Sequence, residues 1–257
     1  MNIAIVGYGR MGHEVERALT ARGHTVSAVV DPVSPSDGSA DLYDEVSPRA
    51  LGGCDVAIEF SLPEAIVSNA KAYAETGCPA VVGTTGWLHQ LDEVRAVVEA
   101  SEIGFVYGSN FSIGAHIFFA VSRYAASLVR NIEEYDLLIH EMHHREKKDS
   151  PSGTALTLAQ SVLDVVPRKR RIETGRLDRA PEPDELHVSS SRVGSVPGTH
   201  TFTMDSAADT IEVRHQARSR GGFALGAVLA AEWIVGRTGF HSVESFVQAL
   251  LHEGQGE

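Results

Sequence analysis

Cysteine and long apolar runs are both scarce in this sequence. Its 257 residues include two cysteines, Cys54 and Cys78, which are too few for a disulfide framework and predict reduced thiols. No apolar stretch approaches the roughly 20 residues that a membrane-spanning helix needs. The first strand-like run begins at Ile3 with no basic leader before it, so we expect no secretory signal. These absences predict a cytoplasmic protein with no membrane partner.

Basic residues are also few. The chain has 22 Lys and Arg against 34 Asp and Glu, which gives a formal net charge of −12. Because binding to nucleic-acid phosphates needs a basic face, we expect no nucleic-acid partner. With 43% hydrophobic and 22% charged residues, the composition is that of a globular protein and excludes disordered or collagen-like chains.

Strand and helix patterns alternate over the first part of the chain. Apolar runs predict strands at residues 2–7, 25–30, 54–60, 79–82 and 103–107, and helical periodicity predicts helices at 11–22, 63–76 and 88–101. Such alternation predicts a parallel sheet with helices on both faces, and hence an α/β domain of the Rossmann type. We place this dinucleotide-binding domain at residues 1–111.

The pattern changes after residue 111. A long apolar helix is predicted at 113–129, followed by strands at 135–142, 185–193, 200–204 and 210–216. Strands with few helices between them predict a mixed or antiparallel sheet, and so a smaller α+β domain at residues 112–221. The basic run 167–179 is predicted to be a solvated surface segment. Helices predicted at 222–236 and 242–252 would return to complete the first domain with residues 222–257.

A glycine-rich turn joins the first predicted strand to the first predicted helix. It fits the pattern G-x-G-x-x-G with Gly7, Tyr8, Gly9, Arg10, Met11 and Gly12. In this context the first glycine permits a tight turn, the second lets the backbone approach a pyrophosphate, and the third lets helix and strand pack closely. The helix start offers unpaired N–H groups to the anion. The alternative is a glycine-rich turn that binds nothing.

Asp31 ends the second predicted strand, about 20 residues beyond the glycines, where an acid accepts hydrogen bonds from the adenosine ribose of NAD. Its alternative role is to start a turn with Pro32. No Arg or Lys occurs from Asp31 to Pro48, so the sequence favours NADH. NADPH stays possible because Arg10 could reach a phosphate.

The densest group of reactive side chains lies at residues 141–154, between a predicted strand and a helix that starts near Thr154. Two adjacent histidines and two lysines could supply a proton donor and a cationic clamp for carboxylates. The following Ser-Gly-Thr at a helix start could hold a carboxylate. We expect no metal, because adjacent histidines point apart on a strand and no cysteine or H-x-x-x-H accompanies them. The alternative is a charged loop before an ordinary helix N-cap.

Six motifs occur in order along nearly the whole chain. They are G-R-M-G at 9–12, G-T-T-G at 83–86, N-F-S-x-G at 110–114, H-H-x-x-K-x-D-x-P-S-G-T-A at 143–155, R-x-G-x-x-x-G-x-H at 192–200 and H-x-A-x-x-R-x-x-F-A-x-G-A at 215–227. With these motifs the chain resembles the dihydrodipicolinate (4-hydroxy-tetrahydrodipicolinate) reductase family. It departs from the usual pattern at Glu59, Ser150 and residues 115–116, where the family more often has other residues.

The resemblance implies NAD(P)H-dependent reduction of 4-hydroxy-tetrahydrodipicolinate, a small cyclic dicarboxylate, in diaminopimelate and lysine biosynthesis. It implies that His143 is the proton donor, that Lys147 is a second donor, and that the substrate is held by His144, Gly153 and Thr154. It also implies a homotetramer formed through the sheet of the second domain, which would serve substrate binding and oligomerisation. Two segments would border the nicotinamide: Gly83, Thr84 and Thr85, and Gly108, Ser109, Asn110 and Phe111.

Two rival interpretations stay open at this point. One is another two-domain amino-acid dehydrogenase, of the aspartate or homoserine type, that shares only the first domain and makes no special demand on His143 and Lys147. The other is a non-catalytic dinucleotide-binding regulatory module, which would be expected to lack these proton donors.

Overall fold

The structure, a computed structural model, describes residues 1–33 and 41–253. The chain forms two compact units: unit 1 consists of Met1–Ile113 and Arg220–Glu257, and unit 2 of Gly114–Ser219. No helix among the described residues is long and apolar enough to cross a membrane. Cys54 and Cys78 are free thiols.

Helices and strands alternate along most of the chain. In chain order the elements are β1 (Asn2–Val6), α1 (Arg10–Ala21), β2 (Thr25–Val30), β3 (Asp41–Tyr43), α2 (Pro48–Leu51), β4 (Val56–Glu59), α3 (Ile66–Thr76), β5 (Ala80–Val82), α4 (Leu91–Ser101), β6 (Gly104–Tyr107), α5 (Ile113–Leu128), β7 (Asp136–His143), α6 (Gly153–Leu163), β8 (Arg171–Glu173), β9 (Glu185–Arg192), β10 (Thr199–Asp205), β11 (Thr210–Gln216), α7 (Gly221–Ile234), β12 (Gly239–Ser242) and α8 (Val243–Glu253).

Unit 1 is built on a parallel sheet with the strand order β12-β6-β5-β4-β1-β2-β3. Alternate residues of β1 enter two different cores, with Ile3 and Ile5 on the face covered by α1, α7 and α8, and Ala4 and Val6 on the face covered by α2, α3 and α4. Burial on both faces explains why these strands are apolar throughout rather than alternating. The Rossmann-type fold predicted from the sequence is confirmed.

Some elements of unit 1 differ from the prediction. The helices predicted from residues 63 and 88 each begin with one 3-10 turn, at Pro63–Ala65 and Leu88–Gln90, before the α-helix starts. Three elements were not predicted from the sequence, namely β3, α2 and β12, which have only three or four residues each. Runs this short carry too little periodicity to be recognised.

Unit 2 is built on a mixed sheet with the strand order β11-β10-β7-β9-β8. Strand β10 is antiparallel to β11 and β7, whereas β9 is parallel to β7 and β8. Helices α5 and α6 cover one face, where Phe118 and Leu158 pack in a core with Ile139, Val188 and Phe202. On β7 the residues with odd numbers are buried, so Glu141 and His143 continue the covered face beyond the apolar core.

The prediction that residues 167–179 form a solvated surface segment is wrong in part. Lys169 is 3% exposed, and its ammonium group donates to Asp136 Oδ1 at 2.6 Å and to the backbone oxygen of Glu185 at 2.7 Å. Arg171–Glu173 forms β8, which pairs with β9. The basic composition of the run did not reveal these acceptors because they lie elsewhere in the sequence.

Gly226→Ala tests the close packing of α7 against the backbone of Phe111 in unit 1. A Cβ atom there would lie 1.7 Å from the backbone oxygen of Phe111, so Gly226→Ala should lower the free energy of unfolding by about 3 kcal/mol. Gly222 in the same helix is the matched control, because its Cβ would lie 3.7 Å from Ser112 Oγ. Gly222→Ala should be neutral or stabilise by up to about 1 kcal/mol. Urea unfolding of both variants measures the difference, and equal effects would contradict the assigned packing.

Candidate active site

The three glycines of the first turn differ in what a side chain would meet. Gly7 has a φ of +87°, and a Cβ there would lie 2.2 Å from the backbone oxygen of Phe60. At Gly12 a Cβ would lie 2.5 Å from the backbone oxygen of Gly7. Gly9 has an ordinary φ of −79°, and its Cβ would meet nothing within 4 Å. The fold therefore requires Gly7 and Gly12, whereas Gly9 borders open space that a pyrophosphate could fill.

The start of α1 is suited to an anion. No described side chain caps this end, and its first turn contains no acidic residue. Its first N–H groups, including those of Arg10 and Met11, have no partner within the helix and lie at the positive end of the helix dipole. The Met11 side chain packs against the core and the Tyr8 hydroxyl donates to Glu16, so both side chains are already engaged. Arg10 is exposed.

Asp31 follows β2 and holds the turn in place. Its Oδ2 accepts a hydrogen bond from the Tyr8 N–H at 2.7 Å, and its Oδ1 accepts one from the Val33 N–H at 2.9 Å. The alternative role of Asp31 in a turn after the strand is therefore observed. It does not exclude the ribose-binding role, because each carboxylate oxygen can accept more than one hydrogen bond.

A cavity of about 560 Å³ lies at the carboxyl ends of β1, β2 and β4, where open parallel sheets bind ligands. Gly7, Gly9 and Asp31 line it. Its other described lining residues include apolar Val33 and Leu62, whose side chains are largely exposed, and the acids Asp44 and Glu45. None of the described lining residues is Lys or Arg. Residues 34–40 lie outside the described part and include no Lys or Arg in their sequence.

The two other predicted cofactor segments follow the neighbouring strands β5 and β6. They share a smaller cavity of about 170 Å³, whose lining includes Thr84, Thr85, Gly108 and Ser109. Thr84 Oγ1 accepts a hydrogen bond from the Ser61 N–H at 2.8 Å, which ties this segment to the loop after β4. The structure thus brings the two segments together.

Packing limits which groups of the remaining residues in these segments could contact a cofactor. A Cβ at Gly83 would lie 2.0 Å from the ring of Phe60, and one at Gly108 would lie 2.3 Å from Val243 Cγ1. Asn110 Oδ1 accepts a hydrogen bond from the Ser112 N–H at 2.9 Å. The side chain of Phe111 is 1% exposed in the core of unit 1, so this residue could meet a cofactor only through its backbone.

In unit 2 the end of β7 holds a histidine against a carboxylate. His143 Nδ1 is hydrogen-bonded to Glu141 Oε2. Glu141 is fully buried, and its Oε1 accepts from Arg192 Nη2 at 2.8 Å and from the Ser152 N–H at 3.3 Å. Burial raises the pKa of Glu141, but the hydrogen bonds from Arg192 and His143 outweigh it and lower the pKa to about 2. Glu141 is therefore ionised at neutral pH.

The other ring nitrogen of His143 lies beside Gly198, where a Cβ would come within 2.9 Å of Nε2. Burial lowers the pKa of His143, Glu141 raises it, and the positive charges of Lys147 and Arg192 lower it, with a net decrease. Lys147 also forms an ion pair with Asp149 at 2.8 Å. In the free protein His143 is therefore mostly neutral near pH 7, with a cation nearby.

The start of α6 is held from the neighbouring sheet. Ser152 Oγ caps the helix by accepting from the Ala155 N–H at 3.2 Å, and it lies 3.1 Å from His200 Nε2. Burial is the largest cause that lowers the pKa of His200, to about 4, so this ring is neutral. Gly153 and Thr154 form the first positions of the helix, and a Cβ at Gly153 would meet nothing within 4 Å. A ligand carboxylate could reach this helix start, where the Gly153 N–H already donates to Asp149.

No role was predicted from the sequence for Glu141, Arg192 or His200. The ligand atoms of Glu141, His143 and His200 lie within 4.8 Å of one another, which is a spacing that could hold a metal ion. Both oxygens of Glu141 are already engaged, however, and Arg192 places a positive charge beside them. We interpret the group as a hydrogen-bonded network, and the absence of a metal stays a prediction.

Comparison with known proteins gives matches over both units. The family model described as "Dihydrodipicolinate reductase, N-terminus" matches residues 1–111, and "Dihydrodipicolinate reductase, C-terminus" matches residues 114–247. A 4-hydroxy-tetrahydrodipicolinate reductase of Christiangramia forsetii is 39% identical over 253 residues, covering 98% of this chain and 99% of that protein. A protein of the same name from Archaeoglobus fulgidus is 35% identical over 264 residues, covering 96% and 100%. A solved structure, a dipicolinate-bound dihydrodipicolinate reductase from a Paenisporosarcina species, shares the fold with a TM-score of 0.75 at 22% identity, covering 94% and 97%.

Gly9→Ala tests whether the glycine-rich turn at residues 7–12 binds a dinucleotide. An alanine fits the backbone angles and meets no atom of the protein, so the urea midpoint should stay within error of the parent. The same methyl group would occupy the space beside the helix start, so the dissociation constant for NADH should rise about tenfold or more. NADH fluorescence titration measures it. Gly12→Ala is the contrasting variant and should lose stability as well as binding. Unchanged NADH affinity in Gly9→Ala would refute the assignment.

Proposed function

The chain belongs to the dihydrodipicolinate reductase family, and on that premise we propose that it reduces 4-hydroxy-tetrahydrodipicolinate to tetrahydrodipicolinate in the diaminopimelate route to lysine. It is an NAD(P)H-dependent oxidoreductase. The observation that carries the proposal is the buried His143, held by a carboxylate and close to the charge of Lys147. An amino-acid dehydrogenase that shared only the first domain would not match the family models in both units. A non-catalytic regulatory module would have no use for such a proton donor.

The cofactor would be held by unit 1. Residues 7–12 would receive the pyrophosphate on the N–H groups of α1, and Asp31 would accept hydrogen bonds from the ribose. Residues 83–85 and 108–111 would border the nicotinamide. When bound, the nicotinamide supplies a hydride to the substrate ring. The open space at Gly9 and the uncapped helix start support this assignment.

His143 and Lys147 would supply protons. A substrate with two carboxylates brings negative charge, which raises the pKa of a nearby imidazole, so His143 would take up a proton as substrate binds. The 4-hydroxyl group would leave with a ring proton as water, which gives a conjugated ring. Hydride addition to that ring leaves negative charge towards the ring nitrogen, and the imidazolium would donate its proton there from Nε2. Lys147 would stabilise the same charge and act as a second donor.

Substrate binding would use the residues that follow His143. The N–H groups at the start of α6, with Gly153 and the hydroxyl of Thr154, would hold one carboxylate. His144, which is half-buried next to His143, would contact the substrate as well. The open position at Gly153 and the cap provided by Ser152 support this arrangement.

We extend the proposal to assembly and location. Helices α5 and α6 cover one face of the unit 2 sheet, and the opposite face carries partly exposed side chains such as His140, Thr201 and Thr203. Another copy could cover this face, and a homotetramer formed in this way is our proposal. The two free thiols agree with a cytoplasmic location, which is also proposed.

The lining of the large cavity favours NADH. Three carboxylates, those of Asp31, Asp44 and Glu45, lie around it, and they would repel the 2′-phosphate of NADPH. Arg10 is exposed and directly follows Gly9, which lines the cavity, so its charge could offset this repulsion. We therefore propose NADH as the preferred cofactor, with NADPH usable.

Replacing either proton donor tests the proposed reaction. His143→Ala and Lys147→Ala should each lower kcat about a hundredfold, the usual scale for a general acid, while NADH affinity stays unchanged. The assay follows NADH oxidation with freshly generated condensation product, against aspartate-derived substrates and a blank. Lys148→Ala is the matched control, because this neighbouring lysine is exposed. Near-normal turnover of His143→Ala would show that the assignment is wrong.

Cofactor preference is tested at Val33, which lines the cavity and is 87% exposed. The parent protein should have a kcat/KM for NADH at least equal to that for NADPH at low ionic strength. Val33→Arg adds a cation without disturbing Asp31 and should raise the NADPH to NADH ratio about tenfold, because a charge pair near a surface is worth a few kcal/mol at most. Val33→Gln controls for polarity without charge. A parent ratio tenfold in favour of NADPH would refute the proposal and point to Arg10.

A further inference from the structure

Glu141 has no part in the reaction described so far, although it is the most completely buried charged group beside His143. We propose that Glu141 is a positioning residue that fixes the orientation and the tautomer of His143, and that Arg192 holds Glu141 for this task. The inference rests on the proposed function, in which His143 is the proton donor.

The geometry leaves the Glu141 carboxylate one orientation. Its Oε2 is bonded to His143, while its Oε1 is bonded to Arg192 and to the backbone of Ser152. Rotation of the carboxylate would break contacts on both oxygens at once. Its donors come from the ends of β7 and β9 and from the start of α6, so three elements fix it.

Arg192 is itself fixed. Besides Glu141, its guanidinium donates to the backbone oxygens of Asp149 at 2.6 Å and Ser191 at 2.7 Å. Asp149 is the ion-pair partner of Lys147. Arg192 therefore connects the carboxylate behind His143 to the loop that carries the second proton donor.

The contact with Glu141 decides which nitrogen of His143 does the chemistry. An ionised carboxylate accepts hydrogen bonds and cannot donate them, so the bonded Nδ1 must carry a proton. The neutral ring then has its lone pair on Nε2. This nitrogen lies beside Gly198, where a Cβ would come within 2.9 Å of it, so a glycine at this position avoids a clash with Nε2. Nε2 is thus the atom that takes up and releases the proton.

If Glu141 had only a structural role, its replacement would lower stability without a specific effect on the chemistry of His143. Glu185 provides the comparison, because it is also a buried glutamate of unit 2, is paired with Arg179 at 2.8 Å, and has its pKa lowered to about 2, chiefly by that arginine. Glu185 and Arg192 are the two ends of β9, seven residues and roughly 23 Å apart. Loss of either carboxylate removes a buried ion pair, but only Glu141 contacts His143.

The test compares Glu141→Gln with Glu185→Gln by thermal melting, NADH affinity and the pH dependence of kcat/KM. Both variants should melt at lower temperature with unchanged NADH affinity. Glu141→Gln should also lower kcat/KM about ten- to a hundredfold, the range found for partners that orient metal-bound histidines. The groups that face His143 are Glu141, Lys147, Arg192 and the neutral His200. Because Glu141 is the negative group among them, its removal lowers the pKa of His143. The fall in kcat/KM with rising pH should therefore move to lower pH.

A second measurement does not depend on how the variants fold. In the parent protein labelled with ¹⁵N-histidine, NMR should show the His143 ring protonated on Nδ1, with the signal assigned by its loss in His143→Ala. A proton on Nε2 of the neutral ring would overturn the inference. So would a Glu141→Gln enzyme whose kcat/KM and pH profile match those of Glu185→Gln. If the parent has no turnover, or if His143→Ala retains it, the proposed function fails instead, and the two failures are distinct.

Discussion

The carboxylate of Glu141 is closed off from solvent, and an ionised group in such a place must be compensated by donors that the fold itself supplies. His143, Arg192 and the backbone of Ser152 provide that compensation, and they come from β7, β9 and the start of α6. The parallel pairing of β7 with β9 places His143 opposite Arg192, so the strand register delivers the cation to the carboxylate. The same requirement holds the start of α6, where the proposed substrate-binding residues begin. Much of the site in unit 2 thus follows from stabilising one buried charge.

Unit 1 contains a buried carboxyl group of its own, which is stabilised by different donors. Glu59 at the end of β4 accepts hydrogen bonds from Asn69 at 2.7 Å, from Tyr73 at 2.8 Å and from Ser61, all of them neutral donors. Burial raises its pKa more than these bonds lower it, in contrast to Glu141 with its arginine. Glu59 therefore anchors the loop of Ser61 beside the large cavity through neutral donors. A cation nearby is what separates a charged carboxylate that can assist a histidine from a structural one.

The sequence predicted the features that repeat along the chain and missed those that depend on register. Long apolar runs identified the main strands of both sheets, while β3 and β12 were too short to recognise. Glu141 could have been paired with His143, because residues two apart on a strand share a face. Arg192 lies about 50 residues away, and nothing local indicates that its strand aligns with β7. The misassigned Lys169 has the same cause, since charge composition says nothing about which acceptors the fold will bring to a cation.

Asp31 shows that structural and functional roles need not be alternatives. Its two oxygens hold the N–H groups of Tyr8 in the glycine-rich turn and of Val33 in the loop after β2. The carboxylate that would meet the ribose therefore also sets the shape of the turn that would meet the pyrophosphate. A substitution that removes its charge disturbs the turn, because even asparagine, with one acceptor oxygen, leaves one of the two backbone donors without its acceptor. A change of cofactor preference is consequently easier to reach by adding a cation on the cavity wall than by altering the acid, which places the adaptable part of this site in the loops rather than at the strand end.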